Sequence, residues 1–136
     1  MPQYGDPAYW DLRYNRYAGE TFDWLEDFDS LKPLIEKYMA PSDCCLMVGC
    51  GNAELSQDMY DAGFERITNV DISFTVIKQM QDHYKEKIPQ MIYKQMDARS
   101  LQFEEGTFDA VIDKACFDAM LCGDNTGPNS ETMLNE

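Results

Sequence analysis

The sequence predicts a doubly wound α/β layer, a parallel sheet with helices on both faces. Three observations carry that prediction. From residue 44 onward, short apolar strand candidates alternate with amphipathic helices. The first strand candidate runs into a glycine turn, Gly49-Cys50-Gly51. The next three each end in a carboxylate, at Asp71, Asp97 and Asp113. Alternation at this spacing implies right-handed crossover units. In such sheets ligands bind outside the carboxyl ends of the strands.

The elements follow in order. Asp6 caps a first helix and Pro7 opens it, because Asp accepts from orphan amides and Pro suits the first turn. Trp10 and Tyr14, spaced i,i+4, share a face of that helix. Ala18-Gly19-Glu20 breaks it, and Phe22 and Trp24 follow in a loop. Ser30 is the expected cap of a second helix with the stripe Leu31, Leu34, Ile35, Tyr38, Met39. Cys44–Val48 is a continuous apolar run, as expected of a strand buried on both faces. Asn52 is the expected cap of the next helix, which Gly63 closes. Ile67–Val70 is a second strand, and Ser73 starts a helix with Val76, Ile77, Met80 and Tyr84 on one face. Met91–Met96 and Phe108–Ile112 are the third and fourth strands. Gly123–Pro128 reads as a loop, with a last helix from Ser130.

Composition narrows the partners. The chain has 136 residues, 25 acidic and 11 basic, for a net charge of −14. Such a field repels phosphate backbones and anionic lipid, so no nucleic acid and no membrane surface is expected as a partner. No apolar run approaches the roughly 20 residues that span a bilayer. The five cysteines are odd in number and show no metal spacing, so reduced thiols in a cytoplasmic protein are expected and a metal site is not. The single histidine, His83, lies in a charged helical stretch and reads as a solvated surface residue.

The strand ends carry the chemistry. A glycine turn lets a ligand approach the backbone. Asp71 lies twenty residues beyond Gly51, at the end of the neighbouring strand, where a carboxylate suits ribose hydroxyls. For Asp113 a helix-capping role is the better reading. A dinucleotide fingerprint wants a third glycine, but here that position is Glu54, which would repel a pyrophosphate. A nucleoside without phosphate fits better, and S-adenosylmethionine is such a ligand.

Several stretches carry a family resemblance. They are Tyr9-Trp10-Asp11, Phe22-Asp23-Trp24, residues 47–56 (MVGCGNAELS), Asn69–Ser73, Met96–Arg99 and residues 108–121 (FDAVIDKACFDAML). On them the sequence resembles class I methyltransferases with a Rossmann-like fold. More narrowly, it is similar to the elongation factor 1-alpha lysine methyltransferases of the methyltransferase-like group. The resemblance implies that Trp10, Tyr14 and Trp24 flank the cofactor, and that Gly49 approaches its amino-acid part. It implies that Asp71 binds the ribose, with Ile72 against the adenine. Asp97 and Ala98 would hold the adenine edge, and Lys114 would line the methionine end. Met47 departs from the family, which often has an acid there.

The resemblance further implies residues 1–28 as a cap and residues 29–136 as the cofactor-binding domain. A class I fold has seven strands and four are visible, so truncation after the fourth is expected. The implied activity is S-adenosylmethionine-dependent methyl transfer to a protein lysine, with a basic protein substrate such as elongation factor 1-alpha. The alternative is a non-catalytic module that binds a partner or the cofactor without turnover. No general base is assigned.

Overall fold

A computed structural model describes residues 2–136. Helices α1 (Pro7–Arg16) and α2 (Phe28–Tyr38) precede β1 (Cys45–Val48). Then come α3 (Leu55–Asp61), β2 (Ile67–Asp71), α4 (Phe74–Tyr84), β3 (Ile92–Gln95) and β4 (Ala110–Asp113). Helices α5 (Cys116–Met120) and α6 (Thr126–Leu134) close the described chain. The four strands form one parallel sheet in the order β3-β2-β1-β4. This is the doubly wound arrangement that the alternation predicts.

Strand β1 lies in the middle, and all four of its side chains are buried. Its pleat sends alternate residues to opposite faces. Cys45 and Met47 join Phe28, Ile35, Leu55 and Met59 beneath α2 and α3. Leu46 and Val48 pack with Val70 on the other side, against Phe108, Cys116 and Met133. Each fully buried aliphatic side chain contributes about 1.5–3 kcal/mol. The apolar Met47 is explained by this burial, since it is 3% exposed.

The N-terminal segment is tied to the sheet layer through α4. Ser73 caps α4 by accepting from the Val76 amide at 3.2 Å. Its hydroxyl donates to Asp11 of α1, which also accepts from the Thr75 amide at 3.0 Å. Tyr14, Val76, Ile77, Met80 and Tyr84 share one core cluster.

Three local expectations are corrected. Helix α2 begins before Ser30: Asp27 is its cap and accepts from the Ser30 amide at 3.0 Å. The longer helix brings Phe28 into the core. Helix α6 begins at Thr126 rather than Ser130, with Pro128 in its first turn, where no amide donor is needed. Ser130 instead returns its hydroxyl to the Thr126 carbonyl at 2.9 Å. Asn52 does not cap α3, whose N-terminus has no side-chain cap.

Candidate functional site

Gly49 and Gly51 hold φ of +60° and +53°, a left-handed conformation that L side chains rarely adopt. The turn they make brings the backbone after β1 against α5 and α1. A Cβ on Gly49 would meet the Cys116 Cβ at 2.5 Å, and one on Gly51 would meet the Tyr14 hydroxyl at 2.7 Å. The glycines therefore serve close packing of the turn as well as its bend.

Asp71 closes the other side of the turn. Its carboxylate accepts from the Gly51 amide at 2.9 Å and from the Ser73 amide at 3.0 Å. It is 7% exposed. Burial raises its pKa; the amides of Ser73 and Gly51 offset part of the rise, and the nearby Asp11 adds to it. Each carboxylate oxygen keeps a further lone pair for a ligand hydroxyl.

An aromatic strap covers the opening. Trp10 lies on Tyr14 with ring centroids 6.0 Å apart, and its indole donates to the Tyr4 carbonyl at 2.6 Å. Phe22 and Trp24 meet edge to face at 4.8 Å. Asn52 holds this strap: it donates to the Glu20 carbonyl at 2.7 Å and accepts from the Phe22 amide at 2.9 Å. Lys114, just past β4, donates to the Trp24 carbonyl at 2.7 Å and pairs with Asp23. Burial lowers the Lys114 pKa.

These parts enclose one cleft of about 880 Å³, counting the portion open to solvent. Of the predicted residues, Trp10, Tyr14, Trp24, Gly49, Asp71, Ile72, Ala98 and Lys114 all line it. Asp97 does not. Its carboxylate is gripped by Arg99, which donates from its own amide and from its guanidinium at 2.7–3.1 Å. Arg99 also reaches the Gly5 carbonyl and Asn129, so it joins the N-terminal segment to α6. Partial burial opposes ionisation of Asp97, but the bonds and charge of Arg99 outweigh it and lower its pKa. Asp113 accepts from the Cys116 and Phe117 amides and so caps α5, as the capping reading expects. Cys50 and Cys116 line the cleft too, but burial pushes both thiols well up, so neither is an activated nucleophile.

Sequence reasoning did not single out Asp23 or Cys116 for the cleft. The signal for Asp23 was its place between Phe22 and Trp24. Among the described residues that line the cleft, the donor set suits a nucleoside with a cationic centre: two acids, one cation, aromatic faces, and no cluster of cations for a pyrophosphate.

Residues 45–126 match the family described as "Methyltransferase domain". The chain belongs to that family. The class I S-adenosylmethionine-dependent resemblance read from its motifs therefore holds. The chain is similar to the EEF1A lysine methyltransferase 4 of Mus musculus, 40% identical over 123 residues, covering 90% of this chain and 48% of that protein. It is 37% identical over 134 residues to the eEF1A lysine and N-terminal methyltransferase of Danio rerio, covering 98% of this chain and 19% of that protein. It thus spans about half the length of one of these relatives and a fifth of the other. Among solved structures, the glycopeptide N-methyltransferase MtfA, complexed with S-adenosyl-L-homocysteine, shares the fold. The TM-score is 0.60 at 16% identity, over 92% of this chain and 54% of that one.

Proposed function

We propose that this chain binds S-adenosylmethionine in the cleft at the carboxyl ends of its strands. We further propose that it serves methyl transfer to a protein lysine, with elongation factor 1-alpha as the favoured substrate. One observation carries the cofactor reading. The glycine turn, buried Asp71 and the strap aromatics, far apart in sequence, converge on one cleft. The lysine and its protein rest on the named relatives.

When bound, the cofactor supplies an electrophilic methyl group on a sulfonium. The chain's own residues position and shield it. Asp71 has free lone pairs for the ribose hydroxyls, while Ile72 and Ala98 offer apolar contact to the adenine. Trp10, Tyr14 and Trp24 present faces that attract a cation by about 0.5–2 kcal/mol. The strap covers part of the cleft, and an in-line transfer there is governed by positioning. The acceptor amine, with a free pKa of about 10.4, must shed its proton before attack. The charge of −14 draws in a basic protein surface. The five free thiols support a cytoplasmic setting. A second reading is cofactor binding without turnover.

Titration calorimetry with S-adenosylmethionine is expected to show saturable binding; its absence overturns the cofactor assignment. Methyl label from the cofactor is expected on lysine of elongation factor 1-alpha. Binding without label would favour the second reading.

A further inference from the structure

Lys114 is the one cation among the described residues that line the cleft. Its side chain is only 11% exposed, so its ammonium is poorly hydrated and needs an anion close by. Here that anion is Asp23, which also lines the cleft and is 32% exposed. The Trp24 carbonyl accepts a further bond from the same ammonium. The burial that lowers the Lys114 pKa reports the same poor hydration.

The two partners are unequal. Asp23 borders solvent and can turn to water at small cost. Lys114 is more deeply enclosed and cannot. The backbone around Asp23 is anchored separately by Asn52, at Glu20 and Phe22, so the side chain can swing while the strap stays. Asp71, the other acid of the cleft, already accepts from two amides and would repel an anion placed near it. A ligand carboxylate therefore has one favourable place to go.

We propose that Asp23 is the resident counter-ion of Lys114, displaced by the carboxylate of the ligand's amino-acid chain. Lys114 then favours nucleosides that carry such a chain, and Asp23 moderates that preference by competing for the same ammonium. The inference rests on the cofactor reading above and names the pair that selects within it.

The test compares S-adenosylhomocysteine with methylthioadenosine, a nucleoside thioether that lacks the amino-acid part, by calorimetry on the 136-residue chain. Asp23→Asn removes the competing anion. It is expected to tighten S-adenosylhomocysteine by about two- to fivefold and leave methylthioadenosine unchanged. Lys114→Met is expected to weaken S-adenosylhomocysteine by about tenfold or more, again sparing methylthioadenosine. Unchanged methylthioadenosine affinity also reports that each variant is folded. If Asp23→Asn leaves S-adenosylhomocysteine unchanged, weakens it, or shifts both ligands alike, the exchange is overturned. If the unmodified chain binds neither nucleoside, the cofactor reading itself falls and the exchange with it.

Discussion

The Gly51 amide donates to the Asp71 carboxylate at 2.9 Å, joining the turn after β1 to the end of β2. The bond ties two strands' carboxyl ends together at the cleft. Asp71 also holds the first residues before α4 through the Ser73 amide. Asp71→Ala leaves both buried donors unpaired, at about 1–3 kcal/mol each. Asp71→Asn keeps one acceptor and removes a poorly solvated charge. Denaturant unfolding is expected to rank the chain as unmodified, then Asn, then Ala. An Ala variant as stable as Asn would overturn the argument.

Asp97 and Asp71 titrate in opposite directions. The folded pKa of Asp97 is lowered, so its contribution is present above the unfolded value of about 3.9. It fades as pH falls through the lower folded value. The folded pKa of Asp71 is raised, so its contribution declines as pH climbs above about 3.9. Urea midpoints measured across acid pH should show Asp97→Asn converging on the unmodified chain as pH drops. Asp71→Asn should gain on it as pH rises through the same region. Parallel curves would contradict both assignments.

Gly51 and Tyr14 are coupled through space. Gly51→Ala strains a φ of +53° and drives a methyl against the Tyr14 hydroxyl. The single change is expected to cost about 2–4 kcal/mol. Tyr14→Phe deletes the clashing oxygen, so the double variant should recover about 1–2 kcal/mol relative to simple addition. A double-variant cycle by chemical unfolding measures this, and strict additivity would rule the clash out.

Ala115 holds φ of +74° between Lys114 and α5. The strain sits in the cleft lining. Replacement by glycine removes a left-handed penalty of roughly 1–2 kcal/mol and adds back about 0.5–1 kcal/mol of chain entropy. Ala115→Gly is therefore expected to raise stability by about 0.5–1 kcal/mol. A lower thermal midpoint would contradict the strain.

What was legible in the sequence was what short-range chemistry dictates. Strand β1 stood out because a continuous apolar run stopped by glycine has few other uses. Ser73 and Asp113 showed as caps because a cap and its amides lie within four residues. Ser30 and Asn52 misled for a related reason. Both have side chains suited to capping, but Asp27 took one role first. The other residue found better partners thirty or more residues away, at Phe22 and Glu20.

The sequence by itself determined the strands, their parallel pairing and the placing of Asp71 at a strand end, because pattern and turn chemistry act over a few residues. Only the tertiary structure decided the partners of the charges. Lys114 joins Asp23 across 91 residues, when its neighbour Asp113 was as near in sequence as any acid can be. Arg99 draws Asp97 out of the cleft lining while reaching across to Gly5 and Asn129. Long flexible charged side chains take whichever partner the fold brings within reach, and no local pattern encodes that choice.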